Sequence, residues 1–201
     1  MSAPTKFAVT WDYRCPFARN GHEHLLDGLA AGAPWEITFI PFFLNQGMGT
    51  DGRNTWDDPS HQADLLALAA AIAVRDRFSD HFLDVHRTFF AARHAEGADL
   101  RDRDVVATLL TRAGVDAHAV LAEVDAGWPA EVIRTEHERC VAELEVFGVP
   151  TFVVDDDAVF ARLMTRPDGD GDMARVTIDR VLSLIGEHPE LNEFKHTRVG
   201  R

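Results

Sequence analysis

Hydrophobic residues fall in short β-branched or aromatic runs near both ends of this chain and at helical spacing over its middle. Phe7-Ala8-Val9-Thr10-Trp11 is compact and apolar and ends at Asp12-Tyr13-Arg14, which predicts a buried strand. A helix is predicted from Pro16, because proline's missing N–H and fixed φ suit a first helical position. It runs through Phe17, His24, Leu25 and Leu29 to a stop at Gly32-Ala33-Pro34. Trp35 to Phe42 alternates apolar and polar residues and predicts a second strand. Asn45 to Pro59, rich in Gly, Asn and Asp, reads as a loop.

Beyond the loop, residues 60–77 and 79–93 keep an i, i+3, i+4 apolar rhythm, and shorter helices are predicted at 103–112 and 117–126. Pro129 opens a further helix over 130–146, closed by Gly148. A proline-led strand (149–154), a turn at Asp155-Asp156-Asp157 and a partner strand (158–161) follow, then a helix over 172–186 and a polar tail. This order is that of an α/β, thioredoxin-like fold with an inserted α-helical subdomain. Residues 1–55 form its N-terminal β-α-β part, 56–128 the insertion, 129–188 the C-terminal part and 189–201 the tail.

The composition, 46% apolar and 26% charged over 201 residues, fits a globular protein and excludes disordered or fibrous classes. Thirty-three acidic against 20 basic residues leave a net charge of −13, a field that repels nucleic-acid phosphates and anionic lipid. No apolar run approaches the roughly 18 residues of a bilayer span, and Met1 to Thr10 shows no apolar segment of a signal peptide. A cytoplasmic protein is therefore expected, with no nucleic-acid or membrane partner. In a reducing compartment the two cysteines, Cys15 and Cys140, stay thiols, and any cysteine chemistry is single-site.

Cys15 immediately precedes a predicted helix, where unpaired N–H groups and the dipole lower a thiol pKa from about 8.5 toward roughly 3.5–7.5. Arg14 and Arg19 flank it and add to this, while Asp12 opposes them, so Cys15 is expected to be substantially thiolate. The competing reading is a small buried apolar residue. Cys140 is expected to be such a core residue. His22, seven residues on, lies about 10 Å along the helix axis from Cys15 and is expected at the surface. No metal is expected, since no His-x-x-x-His pair appears and Asp168-Gly169-Asp170-Gly171-Asp172 lacks the glycine and glutamate of a calcium loop.

Trp11-Asp12-Tyr13-Arg14-Cys15-Pro16-Phe17-Ala18 and Gly148-Val149-Pro150-Thr151-Phe152 resemble the active-site and cis-proline loops of the DsbA family of thioredoxin-like proteins. Its relatives include FrnE-like oxidoreductases, the kappa-class glutathione transferases and 2-hydroxychromene-2-carboxylate isomerases. The tail, Glu190 to Arg198, weakly resembles the end of the mycothiol-dependent nitroreductase branch. The resemblance implies catalytic Cys15 in a loop of Asp12, Tyr13, Arg14, Pro16, Phe17 and Ala18. It also implies a cis Pro150, with Val149 and Thr151 beside it binding substrate through the backbone.

The departure from the two-cysteine members is Ala18, which cannot resolve a mixed disulfide. A monothiol oxidoreductase is therefore implied, resolved by a low-molecular-weight thiol, mycothiol or glutathione, and acting on small-molecule or protein disulfides as a monomer or homodimer. The other branches leave open a transferase or isomerase that binds a thiol cofactor without exchange, and loss of the second cysteine leaves open a redox-inactive interaction domain. In the family the helical block roofs the site. Phe17, Phe42, Phe43 and Trp56, with Asn45 and Asn54 as polar contacts, either line that pocket or belong to the core.

Overall fold

The structure is a computed structural model that describes residues 3–47, 52, 54–193, 195 and 196. Strand β1 (Thr5–Trp11), helix α1 (Pro16–Ala30) and strand β2 (Trp35–Pro41) open the fold. Helices α2 (Pro59–Arg77), α3 (Phe82–Ala91), α4 (Arg103–Arg112), α5 (Ala117–Asp125) and α6 (Trp128–Leu144) follow. Strands β3 (Thr151–Val154) and β4 (Asp157–Phe160) and helix α7 (Gly171–Glu187) close it. The sheet order is β2-β1-β3-β4, with β2 parallel to β1 and β3 and β4 antiparallel to their neighbours. This is a thioredoxin-like sheet interrupted by helices.

Central β1 is the strand that carries the site. It is paired over its whole length with β2, from Thr5 opposite Trp35 to Trp11 opposite Pro41, and on its other edge Val9 faces Phe152 of β3. Buried pairing on both sides explains its run of apolar residues. Helix α1 packs along α7, and α6 lies against β2. The inserted block centres on α2, whose residues Ala67 to Val74 are all buried. A helix apolar all round is surrounded by other elements, and α2 is met by α3, α4, α5 and α6.

Several boundaries differ from the sequence expectation: the proline-led strand expected from 149 begins at Thr151 and its partner is Asp157–Phe160, and two helices differ more. The helix expected over 79–93 is a 3-10 turn (Ser79–His81), then α3, then a π turn (Ala92–Glu96) ended by Gly97 at φ 71°. Helix α6 begins at Trp128 and is closed not by Gly148 but by Glu145 in the left-handed region, with Val146 N–H returning to Cys140 O at 3.1 Å.

Gly28 is where α1 meets the first residue of β2. A Cβ there would sit 2.4 Å from Trp35 Cζ3, and the Trp35 indole is held by its N–H donating to Asp179 of α7 at 3.0 Å. Gly28→Ala is therefore expected to destabilise by about 1–3 kcal/mol, since overpacking outweighs the gain of about 0.5–1 kcal/mol that alanine brings to a helix interior. A urea midpoint at or above wild type would refute this.

Candidate active site

The chain leaves β1 at Trp11, turns through Asp12-Tyr13-Arg14 and enters α1 with Cys15 as the N-cap. Cys15 has extended backbone (φ −87°, ψ 117°) and Pro16 takes the first helical position, as its fixed φ favours. The half-buried Sγ accepts from Ala18 N–H at 3.4 Å, and its S–H donates to Val149 O at 3.3 Å. The Val149–Pro150 bond is cis. Thr10 of β1 fastens this loop, its Oγ1 accepting from Thr151 N–H at 2.9 Å and donating to Gly148 O at 3.4 Å. Thr151 Oγ1 closes the turn onto Gly148 O at 2.8 Å. The loops that the sequence marks out, 134 residues apart, thus meet at one sulfur.

The electrostatics correct the expected thiolate. Arg14 is committed to Asp12, donating from Nη2 at 2.6 Å and Nε at 3.1 Å, and also to Asn45 Oδ1. Arg19 is paired with Glu23 at 2.6 Å. With both arginines compensated, burial dominates and pushes the Cys15 thiol up. The N–H groups of Ala18 and Phe17 pull it down without overcoming burial, Asp12 adds to the rise, and Arg162 opposes it. Asp12 itself braces the loop, accepting from Arg14 N–H at 2.9 Å and Leu44 N–H at 3.0 Å.

A second correction concerns His22, which is fully buried and not at the surface. Its Nε2 lies 3.1 Å from Thr10 O, a carbonyl that can only accept, so His22 carries its proton there. Nδ1 then accepts from His86 Nε2 at 2.8 Å, and His86 Nδ1 accepts from Tyr13 OH at 2.8 Å. This one-directional chain ties the active-site turn to α3 of the roof. Burial holds His22 down to about 4, holds His86 well below the usual histidine range and raises Tyr13 well above the usual phenol range. From the same roof, His94 donates from Nε2 to Tyr13 O at 2.8 Å. His86 and His94 escaped the sequence reading. The only signal was a histidine on the apolar face of α3, among Phe82, Phe89 and Phe90.

A cavity of about 200 Å³ opens between the turn and the roof, bounded by Tyr13, Arg14, Asp64, Leu68, Arg93 and Arg101 among others. Phe42, Phe43 and Trp56 are buried in the core, Phe42 and Trp56 against His137, and Asn54 pairs with Asp57 at the surface. Of the expected lining, Asn45 reaches the site through Arg14, and Phe17 lies half-buried beside Cys15. Cys140 is fully buried in α6, where burial pushes its thiol up to about 11. Among the described residues no cluster of His, Cys, Asp or Glu could hold a metal. Asp170 caps α7 through Met173 N–H at 2.9 Å. No helix among them is long and apolar enough to cross a membrane. Part of the tail, Phe194 and Thr197 onward, lies outside the described residues.

A cysteine at the N-terminus of the first helix, facing a cis proline across a thioredoxin-like sheet, defines a thioredoxin-fold thiol protein. The model of the DSBA-like thioredoxin domain matches residues 9–165, and the chain belongs to that family. Among curated proteins, none matches the chain in sequence. Similar solved structures include Pseudomonas aeruginosa DsbA, at 18% identity and TM-score 0.56, covering 91% of this chain and 88% of that one. The cytosolic disulfide reductase DsbM of Pseudomonas aeruginosa, in a structure with GSH, is 17% identical with TM-score 0.58, covering 89% and 100%. MdbA, a thiol-disulfide oxidoreductase of Actinomyces oris, is 17% identical with TM-score 0.61, covering 86% and 79%. At these identities the likeness concerns the fold.

Proposed function

We propose that the protein is a monothiol thiol-disulfide oxidoreductase of the cytoplasm, with Cys15 as nucleophile and a low-molecular-weight thiol, mycothiol or glutathione, resolving the adduct. The observation that carries this is the position of the Cys15 sulfur, at a helix N-terminus and 3.3 Å from Val149 O, with Ala18 one turn on. The Cys15 thiolate attacks one sulfur of a disulfide, a new S–S bond forms and the other sulfur leaves as a thiolate. A small thiolate then attacks the adduct at its substrate sulfur and frees Cys15, so this cycle exchanges one thiol for another and leaves a mixed disulfide. A further small thiolate entering the same way displaces the second substrate thiol, and two thiols are then oxidised for the one disulfide reduced. Val149 and Thr151 present backbone to the substrate, and Asp12, Tyr13 and Arg14 hold the turn. Pro16 starts the helix under the sulfur and Phe17 flanks it. The family and the DsbM neighbour with GSH support a small thiol partner.

The raised thiol and its S–H bond to Val149 O favour a second reading, in which neutral Cys15 donates a hydrogen bond to the thiolate of a bound cofactor, as in a kappa-class transferase or isomerase. Intact mass separates the two. Wild type and Cys140→Ala are alkylated between about pH 6 and pH 10 and incubated with oxidised glutathione or mycothiol disulfide. The oxidoreductase reading expects alkylation that still accelerates above about pH 8.5 and one adduct per chain that excess thiol removes. Cys15→Ser should lose both. An unmodified Cys15, with thiol-dependent turnover retained, would establish the cofactor-binding reading instead.

A further inference from the structure

The geometry points to Arg162 as the residue that selects carboxylate-bearing thiols and disulfides at Cys15. This rests on the oxidoreductase reading and deepens it. Ala161 N–H donates to Pro150 O at 3.2 Å, which pins the end of β4 to the cis-proline loop. The next residue, Arg162, lays its guanidinium over two aromatic faces, 5.2 Å from the Phe17 centroid and 5.7 Å from that of Phe160. Phe17 is two residues from Cys15, and the loop that Ala161 is pinned to carries the Val149 O that the Cys15 sulfur contacts at 3.3 Å, so the cation is tied to both loops of the site.

Unlike Arg14 and Arg19, Arg162 has no ion pair or hydrogen bond among the described residues, and its side chain is exposed. A competitor is Glu193 of the tail, whose carboxylate is held low by its partner Lys195 first and by Arg162 more weakly. Cation–π stacking on Phe17 and Phe160 fixes the guanidinium without neutralising it, leaving its N–H groups for an incoming anion. The field of Arg162 also reaches the Cys15 sulfur, where it favours the thiolate. In a chain of net charge −13, a cation stacked on Phe17 and not paired with a carboxylate, unlike Arg14 and Arg19, locally opposes a field that otherwise repels anionic substrates.

Two alkylating probes test this. Iodoacetate and iodoacetamide react with the same thiolate through the same step, in which the C–S bond forms as iodide leaves. The ratio of their rates at Cys15 is therefore independent of the thiolate fraction and reports local charge. Arg162→Gln in the Cys140→Ala background should lower the iodoacetate to iodoacetamide ratio at least threefold at about 20 mM salt, with most of the difference lost at about 0.5 M. Arg162→Lys should restore part of it. A Cys15 that reacts with an unchanged ratio in Arg162→Gln overturns the inference and leaves the oxidoreductase reading standing. A Cys15 that resists both reagents overturns both.

Discussion

Replacing Ala18 by cysteine is expected to convert the protein from one that accumulates a mixed disulfide into one that closes an internal disulfide. Residue 18 lies one helical turn after Cys15, and its N–H already points at the Cys15 sulfur at 3.4 Å. With a rise of about 1.5 Å per residue and Cα atoms on a radius of about 2.3 Å, Cα atoms three residues apart on a helix stand about 5 Å apart, inside the Cα range of about 4.4–6.8 Å that a disulfide accepts. With oxidised glutathione, wild type should gain one adduct at Cys15. In Ala18→Cys the introduced thiolate should attack the Cys15 sulfur and expel glutathione, leaving a chain two hydrogens lighter and no stable adduct. Glutathione-dependent reduction of a protein disulfide should then rise about tenfold or more, because the second step becomes intramolecular. Ala18 is fully buried, so the reduced variant should lose about 1–3 kcal/mol. If the variant kept the wild-type adduct under non-reducing mass spectrometry, Ala18 would not be what makes this a one-cysteine site.

Stability should hold from about pH 8 to about pH 7 and then fall steeply toward about pH 4. His22 and His137 are neutral in the fold, where burial holds each down to about 4. Unfolded, each takes up a proton near pH 6.5, so between about pH 6.5 and 4 the unfolded chain binds more protons and is favoured as pH drops. A fall from 6.5 to about 4 corresponds to about 3 kcal/mol for each, lost through that window and flat below it. His86, also held down by burial, acts in the same direction. The chain Tyr13-His86-His22-Thr10 leaves no acceptor for an extra proton, and Phe43 N–H occupies His137 Nδ1 at 3.1 Å. A combined loss of about 5 kcal/mol or more is comparable with the whole stability of an ordinary domain. His86→Phe should cost about 2–5 kcal/mol at pH 7, because Tyr13 OH and His22 Nδ1 lose their partners, and should flatten the pH dependence. Urea midpoints that stay level from pH 7 to pH 5 would overturn this account.

What the sequence by itself determined is local. A compact apolar run places β1 and an alternating one β2, Pro16 after Cys15 marks a helix start at a thiol, and the proline-led run after Gly148 marks the second loop. These signals sit within a few residues of what they specify, and the order of elements then limits the fold to a thioredoxin-like sheet with a helical insertion. The resemblance of the two loops adds the cis Pro150. Tertiary structure decided the chemistry of each group, because charge state depends on what burial removes and which partners it brings. Asp12 and Glu23 claim the arginines beside Cys15, and the sulfur, half-buried against Val149 O, becomes a harder acid to ionise than its helix N-terminus implies. His22 reads as a surface residue from its spacing, yet its ring meets a partner 64 residues away on α3, and Arg162 reaches the site from 147 residues along the chain. Neither contact leaves a trace in local periodicity, since packing between distant elements decides both.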